Sequence, residues 1–450
     1  MRTDLRRESG SVLIIVLWVT LGLVTMALYF SHTMSLNLRA SDNRVAAVGA
    51  QFAIDGAVRY LTNVLGTTTT PGALPDPLTY RCDAVPVGDA TFWVLGRSAT
   101  ISGTAGSSLT TPVYGFTDEA ARLNLNTATV EMLQWLPRMT PQLAAAIVDW
   151  RDTDSTVTDG GAEDDLYLRL PTPYHCKNAA FESVEELRLV YGMTAEILLG
   201  EDTNLNGILD SNENDGDESP PADNRDGRLD PGLIEYTTVW SYESTTTSDG
   251  TNRVDLSTPN NQALTTLLRD KLSSDRANAI VNQVGNSPNG FRSVLEFYVR
   301  SQMTAAEFAL VETNLMVAGT NSLAGLVNVN TAPEAVLACI PGIGTERAPT
   351  LVSRRASNDP RSPSLAWVTE VLDTEQAIQA GPYLTGHSYQ FGADIVAVGH
   401  YDRGFRRIRF VCDMAGTTPR LAARRDLTER GWPLGARLRA DRQLALQKRR

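Results

Sequence analysis

At 450 residues, with 42% apolar side chains and seven tryptophans, the chain has material for more than one buried core. A formal net charge of −12 excludes a general polyanion binder, because phosphate contacts need lysine and arginine. The charge is uneven: acidic residues crowd 201–235, while 403–450 is strongly basic and reads as a solvated tail, with headgroups or acidic neighbours as the alternative.

Residues 1–10 are polar and basic, with Arg2, Arg6 and Arg7, and end in Ser9-Gly10. From Ser11 to Leu38 there is no Asp, Glu, Lys or Arg, which exceeds the roughly 20 apolar residues needed to cross a hydrocarbon core. The arginines ahead of this run predict a cytoplasmic N-terminus, with 40–450 outside. A secretory signal peptide has a shorter apolar stretch followed by a small-residue cleavage site. Here helical periodicity instead continues through Arg39 to about Leu65, predicting one long helix.

A short basic leader ending in Gly, directly before such a helix, resembles the type IV pilin and pseudopilin signature. The resemblance implies that a prepilin peptidase cuts between Gly10 and Ser11, leaving Ser11 as a terminus open to methylation. The fifth mature position, Glu in most pilins, is Ile15. Glu at that place neutralises a neighbouring subunit's terminal amine inside the apolar filament, where a lone charge is expensive. A subunit without it belongs at the tip, and within the family that marks the K-type minor pseudopilin.

Strand-like runs follow at 90–95 and 111–116, and at Asp118 the pattern turns helical. Leu123-Asn-Leu-Asn-Thr-Ala128 recurs as Val327-Asn-Val-Asn-Thr-Ala332, and in degenerate form as Val254-Asp-Leu-Ser-Thr-Pro259. A second block follows each copy, beginning at Phe181, Phe291 and Ser364. Repetition of this kind predicts stacked helical units, with Asn126, Ser257 and Asn330 as helix N-caps. Pro341-Gly-Ile-Gly344 reads as a helix-hairpin-helix turn. That turn also resembles membrane-anchored DNA-uptake receptors, a rival weakened by the other two copies, which lack the glycines, and by the acidic insertions between them.

The acidic insertion Asp202–Glu213 matches the twelve-residue calcium loop D-x-[DN]-x-[DN]-G-x5-E at every specified position. Asp202, Asn204 and Asn206 would supply side-chain oxygens, Ile208 its carbonyl, Asp210 a water-mediated contact and Glu213 a bidentate carboxylate. A partial echo places Asn224, Asp226 and Asp230 around Gly227, with Asp217 or Asp223 standing in for the missing first ligand. A third oxygen-rich group runs through Asp152, Asp154, Asp159 and 161–165. A disordered acidic loop is the alternative for the first, and a solvated surface loop for the third.

The four cysteines never form CxxC, which argues against zinc. Cys82 and Cys412 both lie beside candidate strands and are the favoured disulfide; other pairings and buried free thiols stay open. Four scattered histidines and the absence of G-x-S-x-G, HExxH or a phosphate-binding glycine loop give no support for an enzyme. Residues 387–400 and 405–412 read as strands returning to the first sheet. Residues 435–450 read as frayed.

The leader and helix, TDEAARLNLNTA, Asp149-Trp-Arg-Asp152, GAEDDLYL, PYHCKNAAFESVEELRLV, VNVNTAPEAVLACIPGI and RRDLTERGWPL together resemble the K family of type II secretion minor pseudopilins. The resemblance implies an α+β pilin-like fold: a long N-terminal helix on a small antiparallel sheet, with a large inserted all-α domain of repeated helix-hairpin-helix (SAM-like) units. The expected division is a leader (1–10), the helix and first strands (11–118), the helical domain (119–385), returning strands (386–434) and a basic tail (435–450). Calcium as cofactor, I- and J-type minor pseudopilins and other pseudopilins as partners, prepilin peptidase and inner-membrane lipid are implied, and no nucleic acid. A minor pilin of a type IV pilus is the alternative. An extra middle repeat at about 240–320 departs from the family pattern.

Overall fold

A single helix, α1 (Ser9–Gly66), carries the apolar run and continues beyond it without a break. The computed structural model describes residues 9–68, 72–97, 111–247, 249–258, 261–285, 290–317, 323–358, 364–416 and 418–448. Leader residues 1–8, residues 98–110 between the two strand-like runs, and Pro259 therefore lie outside the described residues. The apolar positions of α1 from Val12 to Leu38 are exposed throughout, and this segment is long and apolar enough to cross a membrane. Farther along, Ala46, Ala50, Ala53, Ile54, Ala57, Leu61 and Leu65 form one fully buried stripe at three- and four-residue spacing.

That stripe lies on an antiparallel sheet of six strands. Strands β1 (Val85–Val87) and β2 (Ala90–Leu95) form one edge, and β3 (Thr117–Asp118) is a short addition beside them. The remaining strands, β10 (Gln390–Val398), β11 (Arg406–Asp413) and β12 (Arg420–Asp426), come from the far end of the chain. Trp93 of β2 faces Val396 of β10, which in turn faces Arg407 of β11. The expected strand at 111–116 is reduced to a single bridge between Tyr114 and Leu95. Alternation puts Phe92, Val94, Ile395, Ala397, Ile408 and Phe410 under α1. On the opposite face Trp93, Leu95, Val396 and Val398 pack with Leu434, Trp432 and Leu438. Residues 435–448 form a helix rather than a frayed tail. All four cysteines are free thiols, so the favoured bridge between Cys82 and Cys412 is not formed, although both pack in the core under α1.

Between the two halves of the sheet, residues from Leu123 to Leu384 build one separate core. Three short parallel ladders punctuate it. Each joins the opening of a repeat to its close: β4 (Leu123–Asn124) with β5 (Thr237–Thr238), β6 (Val254–Asp255) with β7 (Leu315–Met316), and β8 (Val327–Asn328) with β9 (Leu384–Thr385). Each opening strand leads into two helices: Val130–Leu133 and Pro141–Arg151, Gln262–Lys271 and Ser274–Val284, Glu334–Leu337 and Gly344–Arg355. The turn of the third pair puts Gly342 at φ +84°, and the first pair places Arg138 at φ +62° in the matching position. The turn thus keeps its backbone where the glycine is missing, at the expense of a left-handed non-glycine residue.

The repeated Asn-x-Asn-Thr-Ala has a different purpose from helix capping. Thr129 and Asn261 cap the first two helix pairs, accepting from Met132 N–H (3.3 Å) and Leu264 N–H (3.1 Å), and the third pair starts after Pro333 with no side-chain cap. Asn124 and Asn328 instead donate to Ser241 Oγ (3.1 Å) and Ser388 Oγ (2.6 Å) just past the closing strands. Asn126 exchanges two hydrogen bonds with the backbone of Phe181, and Asn330 accepts from Trp367 Nε1 (2.9 Å), so each ties its own strand to the second block. The carbonyls of Leu125 and Ala128 are held by Arg151, and those of Val329 and Ala332 by Arg355. The same spacing in the middle copy reaches Asn282, which is exposed. Ser257, expected as a cap there, donates to Asp255.

Arg355→Met is therefore expected to destabilise the protein by about 2–3 kcal/mol, since buried carbonyls lose a charged donor. Asn282→Met should be near neutral, and equal urea midpoints for the two variants would contradict this reading. A pH effect is expected at His387, whose ring is pushed down to about 4 by burial and has no hydrogen-bond partner on either nitrogen. The unfolded imidazole titrates near 6.5. The unfolded chain thus binds more protons between about pH 6.5 and 4, and stability falls as pH drops through that window. His387→Phe should flatten the stability curve there; a slope as steep as the parent's would count against it.

Candidate metal centre

The loop Asp202–Glu213 has the backbone its sequence demands. Leu205 and Gly207 both have positive φ, +56° and +68°, which folds the chain tightly around the Asp202 side chain. Asp202 accepts from the N–H groups of Asn206 (2.8 Å) and Gly207 (2.9 Å). Asn204 Oδ1 accepts from Asn206 N–H (2.9 Å), and Asn206 Oδ1 from Ile208 N–H (2.7 Å). Both Asn side chains donate to Asp210 Oδ2 at 2.8 Å, and Glu213 Oε2 accepts from Asp210 N–H at 3.0 Å. The six expected ligand residues are thus gathered in one loop.

Two features bear on whether a cation fits. Asp202 and Glu213 are each only 1% exposed, and Glu213 Oε1 is buried with no partner. Burial pushes the Glu213 carboxyl up to about 8, with Asp202, Asp210 and Glu201 adding repulsion. An oxygen-rich, underneutralised pocket of this kind suits a hard divalent ion. The residues fit calcium, which would supply charge neutralisation rather than reactivity.

The second loop repeats the first. Arg225 and Gly227 have φ of +55° and +75°; Asn224 Oδ1 accepts from Asp226 N–H (2.9 Å), Asp226 Oδ1 from Arg228 N–H (2.8 Å), and Asn224 donates to Asp230 (3.2 Å). Its end positions are filled from outside the loop. Gly227 N–H goes to Asn214 Oδ1 (3.0 Å), where the first loop uses Asp202, and Asp230 N–H goes to Glu201 Oε2 (2.9 Å), where the first uses Glu213. Asp223 is engaged elsewhere, by Asp215, Gly216 and Arg225 N–H groups. Glu201 is buried, and burial raises its carboxyl above the ordinary range. The two loops touch where Gly200 bridges Pro231. Nothing in the local sequence pattern marks Asn214 or Glu201, because the pattern search runs forward from a first ligand.

The third acidic group regroups around a residue the sequence reading did not count as a ligand. Oxygens of Asp149, Asp152 and Glu163 lie within 4.8 Å of one another. Both Glu163 oxygens and Asp152 Oδ1 are buried without partners, and burial raises both carboxyls. Asp149 accepts from Ala162 N–H (2.8 Å) and Thr158 N–H (3.1 Å). Asp154 caps Thr156, and Asp164 holds His175 and Cys176, so neither joins the group.

The first loop is fastened to the outer face of the sheet. Arg430 donates to Thr203 O (3.0 Å), Arg407 to Asn204 O (2.7 Å) and Leu205 O, and Arg97 to Leu205 O and the Asp202 carboxylate (2.9 Å). Of these guanidiniums, Arg407 is anchored by Asp394 in β10 (2.7 Å), which also binds Arg409 (2.6 Å). Burial opposes its charge, but Arg409, Arg407 and Arg97 together hold the Asp394 carboxyl well below the usual range.

The architecture is a long helix with a bare apolar start, long and apolar enough to cross a membrane, seated on an antiparallel sheet that brackets a helical region. Residues 118–199 match the family model described as type II secretion system (T2SS), protein K. A 56-residue stretch is 41% identical to type II secretion system protein K of Pectobacterium carotovorum subsp. carotovorum, over 12% of this chain and 17% of that protein. The match therefore spans about a sixth of the curated relative's length. A chain from the crystal structure of the GspK-GspI-GspJ complex of enterotoxigenic Escherichia coli aligns at TM-score 0.38 and 12% identity, covering 84% of this chain and 95% of that one. At that score the fold rests on the elements described above. The family model and the curated relative are both type II secretion system protein K, the family whose motifs the chain resembles, and the rival pilus and DNA-uptake readings are not favoured.

Millimolar calcium is expected to stabilise the protein by about 3 kcal/mol, the shift for a ligand at some hundred times its Kd. Asp202→Ala and Glu213→Ala should remove most of that gain in thermal melts, and Glu201→Gln part of it. An undiminished gain in the double variant would rule the first loop out.

Proposed function

We propose that this chain is the minor pseudopilin at the tip of the type II secretion pseudopilus, where it initiates and caps assembly for export across the outer membrane. In this reading α1 spans the inner membrane with its N-terminus in the cytoplasm and the body in the periplasm. Prepilin peptidase cuts at Gly10–Ser11, and Ser11 is methylated. The I- and J-type minor pseudopilins pack along α1 beneath the head. The helical units act as SAM-like, helix-hairpin-helix interaction modules, with calcium ordering their acidic loops and no catalytic step.

The observation that carries the reading is Ile15, 61% exposed on the bare apolar part of α1. No carboxylate stands there to receive the terminal amine of a subunit stacked above. The wide helical region hung on the outer face of the sheet supports the same place, since a filament-body position leaves little room for it. Membrane orientation is supported by Arg2, Arg6 and Arg7 ahead of the apolar run.

Co-expression with the I- and J-type minor pseudopilins should give a complex that co-purifies through the full-length chain. Ile15→Glu buries a carboxylate with no matching amine, which costs at least about 1 kcal/mol in an apolar filament, and should lower both tip-complex recovery and secretion roughly fivefold. Unchanged secretion with Glu at this position would remove the charge basis of the tip assignment. Failure of the unsubstituted chain to co-purify would remove the assignment itself.

A further inference from the structure

The closing helix, Gly435–Lys448, starts at the first acidic loop: a Cβ placed on Gly435 would lie 3.6 Å from Ile208 Cδ1. Leu434 and Leu438 then pack on the sheet beside Trp93. One turn later the Arg442 guanidinium stacks 4.5 Å from the Trp93 ring and pairs with Asp402 (2.9 Å from Nε). Asp402 belongs to the turn between β10 and β11, and that same turn grips α1, with His400 (2.7 Å) and Arg403 both bonded to Asp42. Glycines 399 and 404 let it press directly on the backbone of Ala46 and Ala47.

This path has a direction. The sheet end near Pro419 lies against Gly66, and the end near Gly399 lies against Ala46, so passing from the acidic loop to Asp402 is passing down α1 toward its apolar segment. Asp42 is four residues beyond Leu38, about 6 Å along the helix axis. The closing helix continues six residues past Arg442, about 9 Å, and its exposed residues there include Leu444 at 54%. Running alongside α1 in the direction set by these contacts, that length would bring its end level with the end of the charge-free run.

The helix carries Arg437, Arg439, Arg442 and Lys448 against a single acid, Asp441, in a chain whose net charge is −12. Arg437 and Arg439 are exposed. We propose that this helix is a basic leg standing on the membrane surface, its cations resting on anionic lipid headgroups beside the point where α1 leaves the bilayer. The proposal rests on α1 crossing a membrane. Arg439 and Arg437, three and five residues before Arg442, stand about 4 and 8 Å farther out along the helix. That places them within about a Debye length of a headgroup layer roughly 6 Å thick, and anionic lipid attracts them. Burying Leu444 at the interface adds to this attraction.

The test is amide hydrogen exchange on the full-length chain in vesicles of phosphatidylcholine alone and of phosphatidylcholine mixed with phosphatidylglycerol. Peptides covering 439–448 should exchange more slowly in the anionic vesicles, roughly fivefold for each engaged cation. Molar salt should abolish the difference, as should the triple change Arg437→Glu, Arg439→Glu and Lys448→Glu. Equal exchange in the two lipids overturns the proposal, as does slowing that survives charge reversal. Slowing that appears only when a second pseudopilin is co-reconstituted would assign the surface to protein instead. Peptides from 12–38 serve as the control: if they exchange freely in both vesicles, the spanning reading of α1 fails, and this surface fails with it.

Discussion

Three consecutive carbonyls, those of Thr203, Asn204 and Leu205, are held by arginines from three separate segments: Arg430 in the turn after the last strand, Arg407 in β11 and Arg97 just past β2. A fully buried guanidinium is costly unless its donors are satisfied. Asp394 answers part of the charge, and the loop's carbonyls and Asp202 answer more of it. Without the folded loop the arginines on the outer sheet face would lose their acceptors, and without the arginines the loop would keep clustered carboxylates and no seat. The helical region is positioned on the sheet by this joint more than by apolar contact, because the cores on either side are separate.

A cation in the first loop would enter at this joint. Glu213 is the member left unanswered, buried and with one oxygen unpaired. Binding would then set the angle between the helical region and the sheet, as well as the order of one surface loop. The closing helix starts on the same loop at Ile208, so the outer covering of the sheet shares that dependence.

Local signals in the sequence were legible where the chemistry is local. The uninterrupted helix, the central strands and the twelve-residue loop each follow from spacing alone, and the structure places Asp202, Asn204, Asn206, Asp210 and Glu213 in one loop. The repeat was legible as a pattern but not in its meaning. Asn126 and Asn330 look like caps because Asn before a helix usually is one, yet both are spent on partners 55 and 37 residues away. The same limit hid Glu201, Asn214 and Asp149. Their roles come from chain segments meeting in space, and no period or motif links them. The basic end misled for a related reason: composition suggested fraying, whereas Leu434 and Leu438 supply enough apolar contact to seat a helix.

The pairing of β2 with β10 sets Trp93 against Val396, with the whole helical region lying between them in the chain. Closing so long a loop delays the contact in folding, since its entropy must be met before the strands reward it. The three repeats close shorter circuits through their own ladders and can be complete first. While they form, α1 has only β1 and β2 to cover its alanine stripe, and the edge of β2 stands open. The finished sheet therefore reports on the chain's own completeness: a subunit cut short or misfolded anywhere before Gln390 presents a helix with half a head.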